Sequence, residues 1–371
     1  MPEVADIFRL YGDRYLQRFG RDILPSHRRA LADLRDCRTA ALGGRLYVCN
    51  HCRREHYAYH SCRNRACPKC HGKDTQAWLD SRRSELLPVP YFHLVFTIPN
   101  ELRDLLRTHQ KTLYPVLMKA AAKALIKLAA DPHYVGGMVG VMAVLHTWTR
   151  TLVYHPHVHC LVPAGGISPA GQWLPARNNF LVPVKALSKL FRGIFLHMAA
   201  KALPQTNLHR AAPNRPWVVY CKPTVRRTSS VLNYLGRYVH RVAITNYRIL
   251  AVHDGKVTFR YRNRRDRQSR SMTLSAIEFI RRFLQHVLPK GMHKVRYYGL
   301  WSPSNRQRLR DLQAKLTPPT DNSPHHPRGL PTQPTQPTSC PASLPGRPCP
   351  FCSSGTLMFV RTIPPQPRPP P

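Results

Sequence analysis

The ten residues Tyr154-His155-Pro156-His157-Val158-His159-Cys160-Leu161-Val162-Pro163 constrain this chain more than any others. They form a short apolar run with histidines at alternate positions. In a β-strand, side chains at i and i+2 point to one face. His157, His159 and Leu161 therefore share a face, while Val158, Cys160 and Val162 turn the other way into a core. Two imidazoles side by side on a rigid strand are a base for a divalent metal site. The same pair also suits a hydrogen-bonded structural role, so the neighbouring motifs have to decide between the two.

The chain's 371 residues are enough for two domains with a real core. Lys plus Arg number 57 against 18 Asp plus Glu, a formal net charge of +39, and the sequence pI is near 10.7. Such an excess serves to neutralise a polyanion. Nucleic acid comes first, because each phosphate contact releases counterions. The aromatics and charges do not form the amphipathic helix that an anionic membrane surface requires. Met1-Pro2-Glu3-Val4-Ala5-Asp6 lacks a basic start followed by an apolar core, so no signal peptide is expected. The longest uncharged stretch, residues 132–149, carries Pro, His, Trp and paired Gly, so no membrane span is expected either.

The eleven cysteines are bunched in CxxC pairs, which points to metal in a reducing compartment rather than to disulfides. Residues 4–19 and 26–36 have helical spacing of apolar positions, with Ser26 as N-cap of the second helix. Gly43-Gly44 makes a turn and Leu46-Tyr47-Val48 a short strand leading into Cys49-Asn50-His51-Cys52. Fourteen residues further on comes Cys67-Pro68-Lys69-Cys70. Two such knuckles have the spacing of a zinc ribbon, in which four thiolates meet the tetrahedral preference of Zn²⁺. Cys49, Cys52, Cys67 and Cys70 are the expected ligands. Cys62 is an alternative thiol, and Cys37, His60 and Cys62 are either ordinary side chains or contributors to a second metal. Arg63, Arg65 and Lys69 lie nearby with Tyr57 and Tyr59 interleaved, a composition that tracks phosphates and stacks on bases.

In the central region, residues 91–99 and 138–148 read as strands, 102–128 and 184–202 as helices, and 217–220 as a short strand. Residues 229–241 read as a helix in which Tyr234 and Tyr238 stand one turn apart on one face. Gly236 within it costs about 1 kcal/mol relative to alanine, a cost explained by close approach of another backbone or a DNA strand. Packed core tyrosines are the plainer reading. Residues 247–252 and 256–261 flank His253-Asp254-Gly255, a hairpin signal. Arg260 and Arg262 head a basic rim suited to phosphates. Residues 276–288 form an amphipathic helix and 296–301 a last short strand.

Taken in order, Ser61-Cys62-Arg63-Asn64-Arg65-Ala66-Cys67-Pro68-Lys69-Cys70, Phe96-Thr97-Ile98-Pro99, Leu145-His146-Thr147-Trp148, His155-Pro156-His157-Val158-His159, Asn233-Tyr234-Leu235-Gly236-Arg237-Tyr238 and Arg296-Tyr297-Tyr298-Gly299 resemble a known family. It is the rolling-circle, two-tyrosine transposases of bacterial insertion sequences, the IS91 type, within the HUH endonuclease superfamily. The resemblance covers residues 4 to 310. It implies an α+β fold: an antiparallel sheet with packed helices, the histidines on a central strand and the tyrosines on a nearby helix. It also implies that His157 and His159 bind Mg²⁺ or Mn²⁺, with His155 or His146 as candidates for a third ligand. A tyrosine, Tyr234 first and Tyr238 second, then forms a 5′-phosphotyrosine with single-stranded DNA, and Arg237 contacts that DNA. The expected partners are the ends of the insertion sequence and its target DNA. The expected setting is the bacterial cytoplasm and nucleoid, and a homodimer is among the expected assemblies. His93 and His240 are read as structural.

The expected division is a zinc-binding domain over 1–88, a catalytic domain over 89–310 and a Pro-rich mobile tail over 311–371. The tail carries one more knuckle, Cys349-Pro350-Phe351-Cys352, with only Cys340 near it and no second pair; it reads as a remnant or as a half completed in a dimer, and no metal is expected there. A plasmid relaxase or replication initiator would use the same catalytic residues. A non-catalytic, zinc-dependent DNA-binding protein would use only the cysteines and the basic surface.

Overall fold

Apolar, β-branched stretches in the central region pair into one antiparallel sheet, around which the larger unit's core is built. We describe a computed structural model, covering residues 1–70, 72–206, 208, 212, 214–224, 243–263, 266–317 and 347–367. The expected helix bearing Tyr234, Arg237 and Tyr238 lies outside the described residues, as does His240.

Along the chain run α1 (Val4–Phe19), α2 (Pro25–Asp36), β1 (Gly44–Cys49), β2 (Glu55–Tyr59), α3 (Gly72–Arg83), β3 (Tyr91–Thr97), α4 (Arg103–Thr108) and α5 (Gln110–Ala129). Then come β4 (Gly140–Trp148), β5 (Tyr154–Pro163), β6 (Gly165–Ile167), β7 (Trp173–Pro175), α6 (Val184–Ala202) and β8 (Val219–Pro223). The remainder is β9 (Ile249–His253), β10 (Lys256–Arg262), β11 (Ser269–Ser275), α7 (Ala276–Leu284), β12 (Val295–Gly299), α8 (Arg306–Leu316), β13 (Arg347–Pro348) and β14 (Thr356–Ile363). The fold class is α+β, as expected.

The chain divides into two units. The larger, Met1–Arg35 with Arg63–Thr317, holds a five-stranded antiparallel sheet in the order β12-β4-β5-β3-β8. One face of that sheet is the main core. Val158, Cys160 and Val162 from β5, Val141, Ala143 and Leu145 from β4, and Leu94 and Phe96 from β3 are buried there. They pack against Leu113, Tyr114 and Leu117 of α5 and Phe191 and Phe195 of α6. The period-2 split expected for β5 holds: Leu161 belongs instead to a separate cluster with Tyr91, Met142 and Trp301. Tyr114 and Tyr154 share a buried 2.7 Å hydrogen bond between their hydroxyls, joining α5 to the start of β5.

A second sheet in this unit, β11-β10-β9, packs on α7 through Phe259 and Phe279, whose rings are 5.9 Å apart. Asp254 and Gly255 both have positive φ, 49° and 69°, the requirement of the tight hairpin that Asp-Gly signals. Ser275 caps α7, accepting the Glu278 N–H at 3.2 Å. The leading helix α1 belongs to this unit. Phe8 meets Phe283 edge-to-face at 5.3 Å, and the Gly255 N–H donates to the Tyr11 hydroxyl at 3.1 Å.

The smaller unit gathers Asp36–Cys62 and the described residues 347–367. Its sheet order is β13-β14-β1-β2. Part of the segment expected to be a mobile tail is therefore a strand, with β14 antiparallel to β1 from Gly44↔Ile363 to Cys49↔Leu357. Alternation in Thr356-Leu357-Met358-Phe359-Val360 supplies the strand, and the prolines that argued against structure lie outside it.

Two stability predictions follow from these contacts. Tyr114→Phe removes the partner of the buried Tyr154 hydroxyl and should cost about 1–3 kcal/mol in urea denaturation; an unchanged midpoint would contradict the pairing. Hydrogen bonds from Arg281, and then from Arg282, hold the Glu278 carboxyl at about 2 against the opposing effect of burial. A carboxylate lowered on folding stabilises above its unfolded value, about 4.3, and loses that contribution as pH falls towards 2. Thermal melts should show the unaltered chain losing stability over that window more steeply than Glu278→Gln, and parallel profiles would refute it.

Candidate metal centres

On the face of the large sheet away from its main core, histidines from adjacent strands converge. β4 and β5 pair so that His146 stands opposite His157 and Val144 opposite His159. Directly opposed residues of antiparallel strands share a face. His146 thus joins the alternating pair, and one ring nitrogen from each of His146, His157 and His159 lies within 4.8 Å of the others. His146 is buried and the other two are half-buried.

Neighbouring groups orient these rings. The His157 Nδ1–H donates to the His155 carbonyl at 2.6 Å. A carbonyl only accepts, so Nδ1 carries the proton and Nε2 keeps its lone pair. His159 Nδ1 is 2.8 Å from His93 Nε2. His93 stands on β3 opposite Leu161, one diagonal step from His159. Burial, and then the charge of His157, lowers His93 to about 4, so it is neutral near pH 7. The contact fits either tautomer pair; where His93 Nε2 accepts, His159 holds its proton on Nδ1 and turns Nε2 towards the other two rings. His146 stacks on Trp148 with centroids 4.7 Å apart, and the Lys294 ammonium lies 4.8 Å over that indole.

His286 was not singled out by the sequence, where it is a lone imidazole on an amphipathic helix pattern. It is buried behind the site, bonded to the Thr147 hydroxyl at 3.2 Å and to the Leu152 carbonyl at 3.1 Å. It thereby ties the turn between β4 and β5 to the end of β4. His155 shares the face of His157 but hydrogen-bonds to Arg103 and stands outside the group of three. Pro156 does not redirect the chain. β3 pairing ends at His157 and the β4 ladder slips between His146 and Trp148, so proline's missing N–H falls where no regular rung is formed.

A second group lies in the smaller unit. Cys49 Sγ is 3.7 Å from Cys352 Sγ, and Cys52 Sγ is 3.8 Å from Cys349 Sγ. The expected set of Cys49, Cys52, Cys67 and Cys70 is therefore corrected: the partners of Cys49 and Cys52 are Cys349 and Cys352. The cause is the β1–β14 pairing, which sets the knuckle before β14 beside the knuckle after β1. Burial pushes the Cys49 thiol up, but N–H groups of Cys52 and His51 outweigh it and bring it down to about 6. The Arg54 N–H favours the Cys52 thiolate, yet burial and the neighbouring sulfurs push that thiol up to about 11. Cys67 and Cys70 occupy their own turn in the larger unit, with the Cys70 N–H donating to the Cys67 carbonyl at 3.3 Å. Beside Cys37 and Cys62, the Arg38 N–H donates to the His60 carbonyl at 3.1 Å.

The expected DNA contacts divide in two. Arg63, Arg65, Arg260 and Arg262 are exposed, although Arg262 Nε also donates to the Arg267 carbonyl at 2.7 Å. Arg65 donates to the carbonyls of Met292 and Pro289, and Lys69 is paired with Glu3. Both of these cations are engaged within the protein.

Residues 7–98 match the family described as "Transposase zinc-binding domain", and residues 140–308 match that described as "Putative transposase". A Sinorhizobium fredii protein, "Putative transposase y4qJ", is 41% identical over 97% of this chain and 95% of its own length. The "Transposase for insertion sequence element IS801" of Pseudomonas savastanoi pv. phaseolicola is 32% identical over 71% of this chain and 67% of its own. The chain belongs to the IS91 family of insertion-sequence transposases. No solved structure matches it. The transposase match contains His146, His157, His159, Tyr234 and Tyr238, and the zinc-binding match contains His93 and the knuckles at Cys49 and Cys67. Among the described residues, no helix of this transposase is long and apolar enough to cross a membrane.

If His93 orients a ligand, His93→Phe should weaken Mn²⁺ binding about 10–100-fold, the usual effect of losing such a partner. Titration followed by the Mn²⁺ EPR signal measures this, and unchanged affinity would refute the role.

Proposed function

We propose that this transposase nicks and rejoins single-stranded DNA at the ends of its insertion sequence through a 5′-phosphotyrosine, in rolling-circle transposition. The group of three imidazoles on adjacent strands, with His157 oriented through its Nδ1–H, is the observation that carries the reading. His146, His157 and His159 would hold a divalent cation, and an all-imidazole donor set suits Mn²⁺ better than Mg²⁺. Bound there, the cation supplies Lewis-acid polarisation and orientation of the scissile phosphate.

Tyr234 and Tyr238 are the nucleophiles by their place in the motif. The phenolic oxygen bonds to phosphorus, the bond from phosphorus to the 3′ oxygen breaks, and that oxygen leaves as a hydroxyl. The phosphotyrosine retains the energy of the phosphodiester, so rejoining needs no ATP. A free phenol has a pKa near 10, and neighbouring positive charge, with Arg237 one candidate, favours the attacking phenolate. Tyr234 attacks first and Tyr238 serves the second transfer. Exposed Arg260 and Arg262 track phosphates of the strand. The zinc-binding domain, matched over residues 7–98, takes structural Zn²⁺ on cysteine thiolates. The substrate is DNA of the bacterial nucleoid.

The test uses purified chain, labelled single-stranded DNA from the element's ends, and Mn²⁺ or Mg²⁺. A denaturant-resistant protein–DNA adduct is expected. It should vanish in Tyr234→Phe/Tyr238→Phe and in His157→Ala/His159→Ala, while the single tyrosine variants order the two attacks. Tight binding without adduct from any end would leave a zinc-dependent DNA-binding protein as the better description.

A further inference from the structure

The knuckle Cys349-Pro350-Phe351-Cys352 lies beyond both family matches, which end at residues 98 and 308. We infer that it completes a four-thiolate Zn²⁺ site with Cys49 and Cys52, so that distant parts of one chain close a single zinc ribbon.

Distance is the first argument. The cross-knuckle sulfur separations are 3.7 and 3.8 Å. A tetrahedron with Zn–S bonds of about 2.3 Å has edges of about 3.8 Å, whereas a disulfide brings its sulfurs to about 2.05 Å. These two separations match such an edge, and all four sulfurs lie within 4.8 Å of one another.

The second argument is that both knuckles are built alike. In the first, the N–H groups of His51 and Cys52 each point at Cys49 Sγ from 3.4 Å. In the second, the Phe351 N–H points at Cys349 Sγ from 3.4 Å. Each turn is closed by the amide of its first cysteine, Cys49 N–H to the Arg54 carbonyl at 3.1 Å and Cys349 N–H to the Gly355 carbonyl at 2.8 Å. Amide donors aimed at sulfur stabilise thiolate, the form a metal needs. The knuckles also bind each other: Asn50 N–H donates to the Thr356 carbonyl at 3.1 Å, and Thr356 N–H to Asn50 Oδ1 at 2.9 Å.

Closeness of approach is the third. A Cβ on Gly355 would stand 2.4 Å from Cys49 Sγ, so glycine is what lets that sulfur reach the opposing turn. The apolar cluster at this point is small, Leu357 with Tyr47 and the four cysteines. A core of that size needs a staple, and a closed four-thiolate zinc supplies one. All four positions are filled by protein, so the ion is structural.

Zinc per chain, measured by mass spectrometry on purified full-length protein, decides the matter. Cys349→Ser/Cys352→Ser should lose one equivalent, Cys49→Ser/Cys52→Ser the same one, and the fourfold variant no more than either pair. Two equivalents lost in the fourfold variant, or none in the C-terminal pair, would overturn the inference. Differential alkylation of the unaltered chain guards against misfolding of the variants. Cys49, Cys52, Cys349 and Cys352 should be protected together and exposed together by a chelator. Rapid alkylation of Cys349 and Cys352 before chelation would overturn the site. Loss of their protection on dilution to monomer would overturn closure within one chain.

Discussion

The register between β4 and β5 is the constraint on which the histidine site depends. His146 meets His157 only because these strands pair with His146 opposite His157 and Met142 opposite Leu161. A slip of one residue would turn every side chain of β5 to the wrong face, burying imidazoles and exposing Val158, Cys160 and Val162. Burial of those three against α5 and α6 makes such a slip prohibitive. The core therefore specifies the geometry of the three imidazoles, and no loop has to be ordered to bring their nitrogens together. Side chains around them do finer work: the His155 carbonyl and His93 fix ring orientation, and His286 holds the turn that joins the two strands.

The smaller unit obeys a different logic. Its sheet is short, its apolar cluster small, and the sulfurs lie at the junction of two turns rather than on a sheet face. Hydrophobic burial dominates in the larger unit, whereas in the smaller one polar cross-links between the turns and the thiol cluster carry more of the architecture. The two kinds of site also differ chemically. Four soft donors would close the thiol group around an ion, whereas three imidazoles would leave positions open to an oxygen of a substrate.

Much of this could be read from residues in order. Helices α1 and α6 run over the residues expected, because their apolar spacing is regular and their ends are marked by Glu3 and Pro183. The alternation in β5 separated its faces correctly, and Asp254-Gly255 marked its hairpin. What failed was pairing at long range. Cys67 and Cys70 are the nearest second knuckle to Cys49 in sequence, but strand β14 brings Cys349 and Cys352 there across almost the whole chain. Proline-rich composition masked that strand. His93 was read as structural because nothing in a strand's own sequence tells which residue will lie diagonal to it. Arg65 and Lys69 look like phosphate contacts by charge, and only the fold reveals the carbonyls and the carboxylate that occupy them.

The most direct measurement is anomalous diffraction from crystals of the full chain soaked in Mn²⁺. The predicted result is a peak bonded to one ring nitrogen from each of His146, His157 and His159, with its remaining positions open to solvent or to a DNA phosphate. A peak elsewhere in the protein, with these three rings unliganded at saturating Mn²⁺, would contradict the site and the cleavage chemistry built upon it.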